Sequence, residues 1–347
     1  MKHSFQTIQT KEECLKVLKD PDYVVPDYGH FFQTLSSHSG VSFDTLTAIF
    51  TSNLFALSGK SHQVQKQRLM PCLSKDSIDL AEEGLRRIIG EELDRIEPGI
   101  QDLLPFTDRV SYRCVYHYLG IREEYHEAYL SGLEALRQVV DNRTPKKIGD
   151  YIAIEKQVSS LFSILKPQLS SEQKGIMGTL RSNFPDDEEI CATIVVLLAG
   201  SGAMASTLAN MIHFIASSPL ERRDYFVNHT NPTQMIDKLL YRCGGTKFTY
   251  RHHCKTPNEM ILLDLDHASK EAVSVDQIFS DYRPNRSSNL SFGAGEHRCI
   301  GEMLSRKIIE WTITSFCKKF PTTLPADEDS REFFLFSPRN NLMCRVL

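Results

Sequence analysis

The run Phe292-Gly293-Ala294-Gly295-Glu296-His297-Arg298-Cys299-Ile300-Gly301 decides how the rest of the chain is read. It surrounds one cysteine with glycines, an aromatic ring and cationic side chains. Gly293 and Gly295 permit turns with positive φ and let amide N–H groups approach the sulfur, while Phe292 can cover one side of it. After Gly301, the residues from Glu302 to Trp311 carry apolar side chains at helical spacing. Cys299 therefore sits just before a helix whose N-terminal dipole favours an anion. A thiolate needs such shelter, because an open one is protonated or oxidised. The plain alternative is a buried free cysteine in a glycine turn, a common situation, but that leaves the flanking cations unexplained. Together the residues have the chemistry of a sheltered thiolate that can ligate a metal, with His297 and Arg298 as cations beside it.

Bulk properties narrow the setting. A chain of 347 residues is long enough for two domains, yet it has no Pro/Gly/Ser-rich spacer, block of like charge or internal repeat. One domain over residues 1–347 is therefore expected. With 40 basic and 44 acidic side chains the formal charge is -4, which offers no field for nucleic acid and no polybasic membrane signal. Nine cysteines, odd in number and scattered without a CxxC pair, suit a reducing compartment rather than a disulfide framework or zinc site. The residues Met1 to Gln6 lack the apolar core of a signal peptide, so a cytoplasmic location is expected.

Between Glu189 and Glu221 no Asp, Glu, Lys or Arg occurs. Length alone allows a membrane crossing, but Ser201, Ser206, Thr207, Asn210 and His213 make the second half too polar for lipid. The stretch reads instead as a helix of about 45 Å, at 1.5 Å per residue, buried in a globular core. Helical spacing also runs through Lys11–Lys19, Ser77–Ile96, Gln101–Tyr118, Glu123–Val140 and Tyr151–Leu169. Strand-like pieces are confined to Thr246–Tyr250, Met260–Leu265, Phe333–Phe336 and Leu342–Val346, and loop signals to Asp20–Asp27, Asp141–Lys147 and Pro284–Asn289. The fold class is mainly α with a small β component.

The cysteine run matches Phe-x-x-Gly-x-x-x-Cys-x-Gly and resembles the haem-binding loop of the cytochrome P450 superfamily, in its soluble bacterial form. The resemblance implies that fold, haem b as cofactor, Cys299 as iron ligand, and Phe292, Gly293, Gly295, His297, Arg298 and Gly301 as its surroundings. It extends to the run from Ser58 to Lys66, similar to the helix in which a His and a cation four residues later bind a haem propionate. His62 and Lys66 stand there, on one helical face, with Lys66 where Arg is commoner and bidentate geometry is lost. Arg251 resembles a further propionate-binding residue. Phe279–Arg283, with Leu290 and Phe292, resembles the approach to the cysteine loop. Gln9–Pro21 resembles the segment before the loop over the substrate pocket, which in family members follows some fifty further residues. The chain is expected to lack the usual N-terminal helix and first strand.

Two departures from the family pattern matter. Where members carry an acid and an alcohol opposite the iron, this chain has Ala199-Gly200-Ser201-Gly202-Ala203, with Gly202 for the acid and Ala203 for the alcohol. Thr207, one turn on, and Ser201 can position a water or simply bond back to helix carbonyls. The Glu-x-x-Arg pair with its later Arg is replaced as well: Lys238 and Tyr241 occupy its positions and the third falls near Ile278, although Asp237 and Arg242 offer an alternative pair. The resemblance implies a haem-thiolate monooxygenase or related oxidoreductase acting on a small organic metabolite of specialised metabolism. Its partners would be the substrate and a ferredoxin-type donor or carrier protein, with a donor docking near Arg298, Arg306, Lys307, Lys318 and Lys319. Neither nucleic acid nor membrane is expected. With the acid and alcohol replaced, a substrate hydroxyl completing the proton path, peroxide in place of oxygen, or a redox-neutral rearrangement, dehydration or coupling are the chemical options. A non-catalytic haem-binding protein is the alternative class.

Overall fold

A computed structural model of the chain describes residues 6–140, 146–169, 175–286, 289–326 and 341–346. In chain order, β1 (Gln6–Ile8), α1 (Lys11–Lys19), β2 (Tyr23–Val24), α2 (Tyr28–Ser39), α3 (Asp44–Ser52), α4 (Gly59–Leu69) and α5 (Lys75–Asp94) come first. Then follow β3 (Gly99–Asp102), α6 (Leu104–Leu119), α7 (His126–Val140), α8 (Ile148–Leu165), α9 (Ile176–Asn183), α10 (Asp187–Ala216), α11 (Leu220–Val227) and α12 (Pro232–Cys243). The last third holds β4 (Phe248–His253), β5 (Met260–Asp264), α13 (Leu265–Ala272), α14 (Val275–Ile278), α15 (Glu302–Lys319), β6 (Leu324–Pro325) and β7 (Met343–Val346).

Helices α1, α2 and α12 start where a side chain satisfies one of their first N–H groups. The hydroxyl of Thr10 accepts from Glu13 N at 3.4 Å, and α1 then buries Cys14, Val17 and Leu18 at spacings of three and one, a single stripe. Asn231 caps α12 by accepting from Gln234 N at 3.0 Å, with Pro232 just inside the helix where its missing N–H costs nothing. Sequence patterning places α1 to the residue and the other long helices to within a few residues. Directly after the loop signal at Asp20–Asp27 comes α2, capped by Asp27, whose side chain accepts from His30 N at 2.8 Å. The strand expected at Phe333–Phe336 lies outside the described residues. The short strand β1 pairs parallel with β5, and three residues are too few for an alternating pattern to announce it.

The contacts divide the chain into two compact units, neither continuous in sequence. The first comprises 1–23, 82–114 and 201–347, the second 24–81 and 115–200. Three of the four boundaries fall inside α5, α6 and α10, so no linker separates the units. In the first, sheet order is β1-β5-β4-β2 and β3-β7-β6, and α1, α13 and β5 close over a core of Cys14, Val17, Leu18, Leu263, Leu265, Ala268, Leu290 and Ala294. In the second, α2, α3, α7 and α8 pack as neighbours, and Glu155 accepts from the N–H groups of Thr45 and Leu46 at the start of α3, at 2.9 and 3.0 Å.

Among the described residues α10 alone is long and apolar enough to cross a membrane, but 72% of its most apolar stretch is buried in protein. Asp187, Glu188 and Glu189 fill its first turn, where the helix dipole favours acids.

Candidate functional site

The cysteine loop is a closed backbone ring. Gly293 N donates to Leu290 O at 2.9 Å, Cys299 N donates to Phe292 O at 2.8 Å, and Arg298 N reaches Gly295 O at 3.3 Å across a single 3-10 turn. Gly293 and Gly295 have φ of 68° and 67°, the left-handed region that side chains disfavour. A Cβ on Gly295 would also strike the carbonyl oxygen of Leu18 in α1, so the loop is seated on the first helix by a glycine contact. Cys299 is exposed, unlike seven of the nine cysteines. The reading of Cys299 as an ordinary buried thiol is therefore not met. A Cβ at Gly301 would come to 3.8 Å from its Sγ, and α15 begins at the next residue.

Arg251, on β4, is 5% exposed. Its guanidinium donates only to near neighbours, Thr249 Oγ1 at 3.1 Å and Tyr250 O at 2.6 Å, and no carboxylate among the described residues lies within ion-pair distance. Burial pushes its pKa down to about 10, against a small upward pull from Glu296. An interior cation without a counter-charge fits a carboxylate brought by a bound group. His297 is half-buried in the same unit. In the other unit, His62 on α4 is 2% exposed and Lys66, one turn on, is half-buried. The same helix is tied to α10 through Gln65 and Arg68, which donate to Glu189 Oε1 at 2.8 and 2.9 Å.

α10 carries one face that protein does not cover. Val196, Ala199, Gly200 and Ala203 are partly or fully exposed at helical spacing, while most of the rest of the helix is buried. A Cβ at Gly200 would meet nothing within 4 Å. Gly202 is buried, and Ala203 offers this open face a methyl group only. The hydroxyl of Thr207 is committed elsewhere: it donates to Ala203 O at 2.8 Å and accepts from Gly245 N at 2.9 Å. Gly245 approaches so closely that a Cβ there would clash with Ala203 O and Thr207 Oγ1. Ser206 likewise donates back to Gly202 O at 3.1 Å, and Ser201 is buried.

On α12, Lys238 is 1% exposed and donates to Ile278 O at 3.3 Å, to Ser280 O and to Tyr225 OH at 3.1 Å. Burial lowers its pKa. One ammonium against carbonyls thus stands where an acid was expected to meet a later arginine near Ile278. Tyr241 OH donates to Asn285 O at 2.6 Å. The alternative pair does not form: Arg242 donates to Lys270 O at 3.3 Å, and Asp237 pairs with Arg306 and, at 2.5 Å, with Arg286. Sequence reasoning had no means to find these partners, which lie 69 and 49 residues away. Arg298 is engaged in a two-pronged pair with Glu302 at 2.7 and 2.8 Å. Of the five cations considered for a docking face, Arg306 is largely buried and Lys319 pairs with Asp94 at 2.6 Å.

An exposed cysteine on a glycine-shaped loop before a helix, with an interior arginine outside ion-pair distance of any described carboxylate in the same unit, is an arrangement that could hold a haem through its sulfur. No family profile matches the chain. It is 26% identical over 185 residues to cytochrome P450(MEG) of Priestia megaterium, covering 49% of this chain and 43% of that one. To the mycinamicin VIII C21 methyl hydroxylase of Micromonospora griseorubida it is 19% identical over 296 residues, 80% of this chain and 74% of that one. The match thus spans less than half of the first relative and about three quarters of the second. Among solved structures, P450BioI in complex with an acyl carrier protein superposes with a TM-score of 0.84 at 16% identity, over 100% of this chain and 93% of that one. CalO2 gives 0.84 at 13% identity, over 100% and 91%. The chain thus has the fold of the cytochromes P450 and is similar in sequence to members of that superfamily, whose cofactor is haem b.

Proposed function

We propose that the chain is a haem-thiolate oxidoreductase that oxygenates a small organic metabolite of specialised biosynthesis, with a hydroxyl or amine of the substrate completing the proton path. Haem, when bound through Cys299, supplies an iron whose thiolate ligand favours cleavage of an O–O bond. The chain's residues do the rest. The closed ring from Phe292 to Cys299 presents the sulfur at the surface of the loop, and the dipole of α15 favours its anionic form. Arg251 and His297, with His62 and Lys66 from α4, are the cations for the haem carboxylates. Ala199, Gly200, Gly202 and Ala203 leave room beside the haem on its open side.

The observation that carries the reading is the exposed Cys299 at the mouth of its hydrogen-bonded loop. Proton delivery follows from what α10 lacks. Ala203 has no proton to give, and the single proton of Thr207 is directed at Ala203 O. General acid work needs a donor within hydrogen-bond reach, and a hydroxyl or amine of the bound substrate is the proposed source. Hydrogen peroxide as oxidant, or a redox-neutral rearrangement, is the second reading, favoured by the same commitment of Thr207. A ferredoxin is the proposed electron source and the cytoplasm the proposed location. The complex of P450BioI with an acyl-loaded carrier protein makes carrier-bound delivery a further option.

The test is the reduced carbon monoxide difference spectrum of the haem-loaded protein beside Cys299→Ser. The parent is expected to give the long-wavelength Soret band of a thiolate complex and the variant to lose it. A haem-loaded parent without that band would remove the reading. Turnover with peroxide but not with reduced ferredoxin would move the assignment to the second reading.

A further inference from the structure

The side chains around Asp237 form a chain of alternating charge that runs from α12 to the cysteine loop. Arg286 donates to Asp237 Oδ2 at 2.5 Å, Asp237 Oδ1 accepts from Arg306, Arg306 Nε donates to Glu302 Oε1 at 2.8 Å, and Glu302 holds Arg298 with both oxygens. Asp237, Arg306 and Glu302 have side chains only 9%, 16% and 19% exposed. The two ends differ in kind: Arg286 is 55% exposed, whereas Arg298 is the residue immediately before Cys299.

Arg306 is the central piece. Its Nη1 reaches Asp237 on α12 and its Nε reaches Glu302 one turn back on α15. Its Nη2 is buried without a hydrogen bond, and its guanidinium carbon lies 5.0 Å from the centre of the Phe292 ring, so the aromatic face takes the place of a further acceptor. Phe292 is the residue whose carbonyl receives the N–H of Cys299 at 2.8 Å, and Glu302 N donates back to Cys299 O at 3.4 Å. One guanidinium therefore grips both strands of the loop that carries the sulfur, and Asp237 fixes that guanidinium to α12. Glu302, a carboxylate next to the proposed anionic ligand, is covered by two arginines.

We propose that Asp237 and Arg306 are positioning residues for Cys299: acting through Glu302, Arg298 and Phe292, they hold the thiolate in the geometry that binds iron. This rests on the haem-thiolate reading. It assigns the loop's support to an ion chain outside the Lys238 and Tyr241 positions, where the family resemblance would have looked for it. Lys238 fastens α12 to residues 278–280 instead, and touches no member of the chain.

Removal of one member takes from its partner the more buried of two contacts, leaving Asp237 only the exposed Arg286 or Arg306 only Glu302, whereas removal of both exchanges charge for packing at small net cost. The experiment follows the lifetime of the thiolate band in the reduced carbon monoxide complex under mild urea, for the holoprotein, Asp237→Asn, Arg306→Gln and the double variant Asp237→Leu/Arg306→Met. Far-ultraviolet circular dichroism is recorded on each. The single variants are expected to convert to the thiolate-free spectrum about tenfold faster or more with helix content unchanged, Arg306→Lys to fall between, and the double variant to recover most of the loss. Single variants with the parent's lifetime would overturn the proposal, as would loss of the band only in step with loss of helix, which denotes general unfolding. The two ideas fail separately: absence of the band in the parent removes the haem-thiolate reading and this proposal with it, while a parent band unaffected by the variants removes this proposal alone.

Discussion

Arg251 shows how much one side chain discloses about what a protein is built to hold. Its charge is carried inside the first unit with no carboxylate among the described residues at ion-pair distance, and burial holds its pKa at about 10, well below the ordinary guanidinium value. The apoprotein bears that cost and the bound haem is expected to offset it. Arg251→Met should therefore raise the resistance of the apoprotein to urea while speeding loss of haem to a scavenger apoprotein by about tenfold or more, as expected for a charge-assisted hydrogen bond. A loss of stability in both forms would contradict the assignment. The pH dependence has a definite sign. Because burial lowers the folded value to about 10, the unfolded chain holds this proton more tightly than the folded one, so the cost carried by Arg251 eases as pH rises above about 10 and the advantage of Arg251→Met shrinks. The number of Arg251 was legible through its resemblance to a family position. Its lack of a counter-charge was not, because that depends on what the fold places around it.

Among the elements, α10 and the connection between α12 and β4 lean on each other at a single hydroxyl. Thr207 gives its proton to Ala203 O and takes one from Gly245 N, both in buried surroundings. Thr207→Val keeps the shape and strands the Gly245 N–H, at a cost of about 1–3 kcal/mol. Thr207→Ser should cost much less, and a urea titration of the three proteins distinguishes them. Equal midpoints for all three would mean that the hydroxyl has no such task. The uncharged run from residue 190 to 220 made α10 legible as a core helix, since no other arrangement buries so many apolar side chains, and the glycine-flanked cysteine made the loop legible. Local pattern could not say whether Thr207 faces ligand or backbone, because both choices have the same helical phase and differ only in what lies across from them. The same limit hid the link from Asp237 to Arg306, where two helices distant in sequence meet.

At the scale of the whole molecule, the nine cysteines fall into two groups. Seven are buried, and burial pushes Cys14, Cys114, Cys191 and Cys317 up to about 12 and Cys72 to about 11, so these five stay protonated, while Cys243 and Cys344 are shielded by burial alone. Cys254 and Cys299 are exposed. A thiol reagent should modify two sulfurs quickly in the apoprotein and one after haem is added, while Cys299→Ser shows one in either form. Two rapid thiols in the haem-loaded protein would show that Cys299 is not engaged. Placed on the open side of its loop, Cys299 is accessible to oxidants wherever the cofactor does not cover it. Cells short of haem should accumulate chains whose Cys299 has become sulfinic or sulfonic acid, folded yet permanently unable to take up the cofactor. The yield of competent protein is then set by a race between porphyrin supply and peroxide.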